Sequence, residues 1–174
     1  MENLIGVDNI ILVDKYDNEI GQMEKLLAHK NGLLHRAISV LITNSKGEWL
    51  LQKRASTKYH SPSLWTNTCC THPAPGEGTE DAANRRLMEE MGMKAKINYA
   101  LNFKYFVEFS NGLKENELDH LFIGVSDDVP VLNLEEVDDY KYMEKTKLFE
   151  DIEKNPDNYT EWFKLLIPQI SGQI

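Results

Sequence analysis

The chain has 174 residues, 41% of them hydrophobic and 27% charged, and 28 acidic against 19 basic residues give a net charge of −9. That length suits one domain with a full core, and the composition is that of an ordinary soluble globular protein. The acidic balance argues against a nucleic-acid partner, whose phosphates need a basic face, and no apolar run approaches the roughly 18–20 residues of a membrane helix.

The opening residues, "MENLIGVDNI", lack the basic and apolar regions of a signal peptide. Residues 8–25 read as a strand, a turn at Asp17-Asn18 and a second strand. Residues 35–55, "HRAISVLITNSKGEWLLQKRA", read as two strands joined by a turn at Asn44–Gly47. Residues 59–78 carry Pro62, Pro73, Pro75, Gly76 and Gly78 and read as an irregular loop around Cys69 and Cys70, the chain's two cysteines. Adjacent cysteines close no useful loop and cannot staple a fold, so a reducing, cytoplasmic setting is expected.

The stretch "TEDAANRRLMEEMG" is a predicted helix. Thr79 suits the N-cap, Glu80 and Asp81 the first turn, and Gly92 the C-terminal stop. Ala83, Leu87 and Met91 form its buried stripe, while Arg86 and Glu90 lie four apart on a neighbouring face. A hairpin follows, turning at Asn111-Gly112, then a strand at "DYKYME" and helices over 145–154 and 159–170. Strands before and after one internal helix indicate an α/β or α+β domain with a mixed sheet.

Several residues could carry chemistry. Of five histidines, at 29, 35, 60, 72 and 120, His35 opens an apolar strand and His72 lies beside a thiol. Imidazoles and carboxylates together bind divalent first-row metals. Glu115 and Glu117 are two apart, so on a strand both project from one face, where like charges need a cation or a proton between them. Cys70 and His72 share that spacing. An extended backbone turns them to one side and Cys69 to the other, and a cation near Cys70 would lower its pKa. Structural zinc is disfavoured, because Cys-x-His is only half a site and no second cysteine pair exists. Lys53, Arg54 and Lys58, with Arg86, could hold phosphate groups. Trp162 lies in an amphipathic helix, where core packing competes with a cation–π role.

"AANRRLMEEMGM" resembles a degenerate Nudix box, G-x5-E-x7-R-E-U-x-E-E-x-G-U. Glu77, Arg85, Leu87, Glu89, Glu90, Gly92 and Met93 match that form. Thr71 replaces the leading Gly, and Arg86 replaces the first Glu of REUxEE. The second departure exchanges a metal ligand for a phosphate-binding cation, and argues for holding a diphosphate over hydrolysing it. "LWTNTCCTHPAPGE", "RRLMEEMG", "FKY", "ENE" and "EWF" resemble the type 1 isopentenyl-diphosphate isomerases, which have a Nudix fold.

The resemblance implies a mixed sheet sandwiched between helices in a single domain over 1–174. Its Nudix-type core covers about 33–166, and the strands of 1–30 contribute to the active site. It places catalytic roles on Cys70, Glu117, Tyr105 and Trp162. It places one divalent metal (Mn²⁺, Mg²⁺ or Zn²⁺) on His29, His35, His72, Glu115 and Glu117, and a substrate-bound Mg²⁺ on Glu90. The diphosphate falls to Lys25, Arg54, Lys58 and Arg86. The implied reaction moves a double bond between isopentenyl and dimethylallyl diphosphate, adding and removing protons on opposite faces. The reading leans towards Glu117 with Tyr105 as the acid and Cys70 thiolate as the base, the order being left open. It further implies a monomer or weak homodimer with no nucleic-acid or membrane partner. A Nudix pyrophosphohydrolase or a non-catalytic Nudix binding module are the alternatives.

Overall fold

The computed structural model describes residues 8–172, so residues 1–7 of the expected N-terminal segment lie outside the described residues. Strands β1 (Asn9–Val13) and β2 (Glu19–Glu24) form the expected hairpin. A short helix absent from the sequence reading follows, α1 (Lys25–Asn31). The Glu24 carboxylate accepts the N–H groups of Leu26 and Leu27, and Gly32 ends the helix at φ 63°. Two turns are too few for an apolar stripe to repeat, which is why α1 left no periodic signal.

The central strand is β3 (His35–Thr43). It pairs in parallel with β8 (Lys114–Val125) and antiparallel with β6 (Cys69–Thr71). β8 also pairs with β7 (Ile97–Glu108) across the expected Asn111-Gly112 turn. The other arm of the nine-stranded sheet is β4 (Trp49–Arg54), flanked by β5 (Trp65–Thr66) and β9 (Val137–Met143).

β3 and β4 leave their turn as predicted but meet in register only at Thr43 and Trp49. Thr68 is the wedge that satisfies the parting strands. Its hydroxyl accepts the Ile42 N–H at 2.8 Å and donates to the Leu50 carbonyl at 2.7 Å, while its own carbonyl accepts from Gln52 Nε2 at 2.7 Å. The opened edge of β3 takes in β6. The expected irregular loop over 59–78 is therefore corrected at 65–66 and 69–71, where the free edges of β4 and β3 order two short strands.

α2 (Thr79–Met91) covers one face. Gly78, not Thr79, is its N-cap, and no side chain caps it; Glu80 and Asp81 occupy the first turn as expected. Gly92 ends the helix at φ 61°, and a Cβ there would stand 2.5 Å from the Val131 carbonyl oxygen, so both conformation and space demand glycine. Ala83, Leu87 and Met91 pack on Ile38, Val40, Ile42 and Phe122. On the opposite face α3 (Lys145–Lys154) and α4 (Glu161–Ile170) bury Leu148, Phe163 and Leu166 against Leu41, Leu51 and Leu121. Successive residues of β3 thus serve opposite layers, as strand geometry requires, and the sheet lies between helices as expected. Among the described residues no helix is long and apolar enough to cross a membrane.

Candidate active site

Strand register assembles the site. His35 faces Glu117 across β3–β8, Glu117 faces Tyr105 across β8–β7, and Ser39 faces Cys70 across β3–β6. The period of two along β3 and β8 turns His35, Ser39, Glu115, Glu117 and Asp119 to the α4 side with Leu41 and Leu121. It also separates the cysteines as expected: Cys69 is wholly buried in the α2 core, and Cys70 borders the opposite one. Ser39, Cys70, His72, Tyr105, Glu115 and Glu117 line a cavity of about 720 Å³, measured out to its open mouth.

At one end His29, His35, His72 and Glu117 bring one donor atom each to within 4.8 Å of one another. His72 Nε2 stands 2.9 Å, His35 Nε2 3.2 Å and His29 Nε2 3.9 Å from Glu117 Oε1. Nδ1 of His29 and of His35 is held by a main-chain carbonyl, that of Lys25 at 2.6 Å and of Leu33 at 2.7 Å. A neutral ring with Nδ1–H committed in this way turns a bare Nε2 towards the carboxylate, and a cation between them reconciles the two. His29 Nε2 is buried without a partner. Burial lowers the pKa of His29 and takes that of His72 down to about 3, which favours the neutral ring at these two positions. Burial works against ionisation of Glu117, but contacts with His35 and His72 outweigh it and hold its carboxyl well below the usual range. A neutral-imidazole and carboxylate set of this kind fits a divalent ion.

Glu115 and Glu90, also expected as ligands, stand outside this group of four. Glu115 approaches His60 Nε2 at 3.4 Å and accepts the Tyr105 hydroxyl at 3.2 Å. Burial first, and then the charge of Glu117, raise its carboxyl well above the ordinary range. Tyr105 also donates to Glu117 Oε2 at 2.5 Å. Glu90 accepts from Gln52 Nε2 at 2.7 Å and from Arg86 at 2.5 and 3.0 Å.

The expected lowering of the Cys70 pKa is corrected. Its sulfur faces Asn67 Oδ1 at 3.2 Å and Ser39 Oγ at 3.6 Å, and His72 is neutral, so no cation offsets the desolvation. Burial and then Asp119 push the thiol up to about 12. Asp119 itself is raised to about 8, by burial and then by Glu117.

Lys25, Arg54, Lys58 and Arg86 all line the cavity, whereas Lys53 does not. All four have partners, Lys25 Nζ lying over the Tyr59 ring at 5.9 Å. Arg54 donates to the carbonyls of His60 and Ser61 at 3.2 Å and lies over the Trp162 indole at 5.1 Å. Lys58 pairs with Glu136, and Arg86 reaches the same carboxylate at 3.2 Å. The Nudix-box pair is present, with Arg85 gripping both oxygens of Glu77 at 2.6 and 2.9 Å.

Ser39, Asn67, Asp119, His60 and Glu136 escaped the sequence reading as site residues. Ser39 and Asp119 were accessible, each lying an even number of places along a strand from His35 or Glu117. Glu136 and His60 sit outside any periodic element facing the cavity, and no local signal marks them.

The NUDIX domain family matches residues 33–163. The chain is 50% identical over 164 residues to isopentenyl-diphosphate Delta-isomerase 2 of Photorhabdus laumondii, covering 94% of this chain and 93% of that one. It is 46% identical over 163 residues to isopentenyl-diphosphate Delta-isomerase 2 of Aromatoleum aromaticum, covering 94% and 86%. A crystal structure from Deinococcus radiodurans superposes with a TM-score of 0.74 at 17% identity, covering 90% of this chain and 96% of that one, which speaks for the fold alone.

Proposed function

Since the chain belongs to the NUDIX family and, within it, to the isopentenyl-diphosphate Delta-isomerases, we propose that it interconverts isopentenyl and dimethylallyl diphosphate. The observation that carries the reading is the meeting of Cys70 from β6 with Glu117 from β8 in one cavity, beside Tyr105 and Trp162, with Lys25, Arg54, Lys58 and Arg86 lining the same space. An allylic shift by protonation and deprotonation needs two proton carriers flanking the carbon skeleton, and neighbours in sequence could not flank it.

In the forward direction the Cys70 S–H protonates the terminal alkene carbon, leaving tertiary cationic character at C3. The Glu117 carboxylate then takes a proton from C2, and the new double bond forms between C2 and C3. We favour this order over the one the sequence leans towards because burial pushes the Cys70 thiol up to about 12, while contacts with His35 and His72 hold the Glu117 carboxyl well below its usual range. Tyr105, hydrogen-bonded to Glu117, steadies the accepting oxygen. The Trp162 indole, which already carries the Arg54 guanidinium over its ring, offers its π-system to positive charge.

His29, His35, His72 and Glu117, joined by Glu115, would hold a divalent metal (Mn²⁺, Mg²⁺ or Zn²⁺), and Glu90 would hold Mg²⁺ brought with the diphosphate. When bound, these ions supply positive charge that tunes Glu117 and neutralises the diphosphate. Arg86, where hydrolases of the fold carry a carboxylate, favours retention of the diphosphate over its cleavage. The chain is read as a single domain over 1–174 in which the segment before residue 33 completes the site with Lys25 and His29. We read it as a cytoplasmic enzyme, a monomer or weak homodimer, acting on a small molecule without nucleic acid or membrane.

The test is incubation of the metal-loaded protein with isopentenyl diphosphate and Mg²⁺, following the products by NMR. Formation of dimethylallyl diphosphate supports the proposal; release of phosphate or diphosphate without the isomer would assign hydrolysis instead.

A further inference from the structure

Asn67 is wholly buried where β5 gives way to β6. Both hydrogens of its amide are committed, Nδ2 donating to the carbonyl of Val40 at 3.1 Å and to that of Cys69 at 2.9 Å. Those two bonds decide which end of the amide is oxygen. Oδ1, which can only accept, takes the Thr66 hydroxyl hydrogen at 2.9 Å and faces Cys70 Sγ at 3.2 Å. The hydrogen between Cys70 and Asn67 therefore belongs to sulfur. Ser39 Oγ, the other oxygen near Sγ, sends its own hydrogen to Asp119 Oδ2 at 2.7 Å.

The array extends to the helix that carries Trp162. Thr160 Oγ1 donates to Thr66 Oγ1 at 2.9 Å. Thr160 occupies the N-cap of α4, yet no side chain caps that helix. Its hydroxyl forgoes the usual bond to the first turn and serves the chain leading to Asn67.

We propose that Asn67 is a positioning residue for Cys70, holding the thiol by its hydrogen and so fixing the sulfur in the cavity. Tying strands together would require only the two N–H bonds. The acceptor turned to sulfur, and the hydroxyl chain directed at that same acceptor, are what the role of a strand tie leaves unexplained. The inference rests on Cys70 being a proton carrier in the proposed reaction. The structural part is tested without substrate, so its failure and that of the proposed function are separable.

The readout is the infrared S–H stretch of Cys70 in a Cys69→Ala background, identified by its loss in Cys70→Ala. Asn67→Ala is expected to move the band to higher frequency, as a hydrogen bond is lost. It is also expected to lower kcat roughly 100-fold with KM nearly unchanged, since misplacing a reacting group by about 1 Å has an effect of that order. Thr66→Val leaves both N–H ties of Asn67 in place and strips one of the two donors from its oxygen. The remaining S–H bond tightens, and the band moves to lower frequency. Bands that stay put in both variants, or a raised KM with unchanged kcat in Asn67→Ala, would overturn the proposal and leave Asn67 as a strand tie.

Discussion

His35 and Glu117 are register partners across the parallel β3–β8 pair, and Nε2 of the first stands 3.2 Å from Oε1 of the second. Their closeness is a property of the sheet, since neither side chain has to leave its strand to reach the other. A metal site built this way loses a ligand, not merely an orienting group, when either is replaced. His35→Ala and Glu117→Gln are expected to weaken divalent-metal binding by more than the roughly 10–100-fold typical of an outer-shell partner. Competition against a chelator measures it, and unchanged affinity in both variants would dissolve the metal assignment.

The two cysteines are separable by the same geometry, Cys69 lying in the α2 core and Cys70 at the cavity. Cys70→Ala should reduce turnover by about 10²–10⁴-fold or more, the range for a lost general acid. Cys69→Ala should leave turnover near normal and show its effect in thermal stability. Equal kinetic losses in the two variants would refute the facing argument.

Arg86 sits four residues before Glu90 and shares its guanidinium among Glu89, Glu90 and Glu136. If it holds diphosphate, Arg86→Ala removes charge-assisted hydrogen bonds worth about 1.5–3 kcal/mol. The expected result is a KM raised roughly 10- to 100-fold, read from steady-state kinetics. A loss confined to kcat would move Arg86 from binding to the chemical step.

The metal-free protein should be most stable near pH 6.5, the ordinary histidine value. Burial is the main cause that lowers His29, His60, His72 and His120 in the fold, the second and third to about 3. Below pH 6.5 the unfolded chain takes up these protons before the folded chain does, so stability falls as pH falls. Glu115 and Asp119 have raised folded values, that of Asp119 about 8. They bind protons in the fold that the unfolded chain has released, so above pH 6.5 stability falls as pH rises towards 8. Below 6.5 four histidines oppose two acids and prevail. Denaturant midpoints across pH 4–9 in chelator check this, and stability rising steadily from pH 6.5 to 8 would contradict it.

How much of this was legible in the sequence depends on reach along the chain. The long strands, the Asn111-Gly112 turn and α2 with its Ala83-Leu87-Met91 stripe declare themselves through local periodicity. The pairing of Glu115 with Glu117, and of Cys70 with His72, needed only the strand period of two. The ordering of β6 did not show, because its three residues take their hydrogen bonds from β3, which lies about thirty positions earlier. Thr68, which makes room for β6, is one unremarkable threonine among several in that stretch. The protonation state of Cys70 also depended on the fold: Asp119 and Asn67 surround the sulfur, and the sequence offered only His72 as its neighbour.

The most direct discriminator for two proton carriers acting on one allylic skeleton is the fate of deuterium from solvent. With metal-loaded protein, isopentenyl diphosphate and Mg²⁺ in D₂O, the product should be dimethylallyl diphosphate carrying deuterium in a methyl group, with a hydrogen lost from C2 and the diphosphate intact. Recovery of unlabelled isopentenyl diphosphate with no isomer, with the metal verified as bound, would contradict the assignment of Cys70 and Glu117 as those carriers.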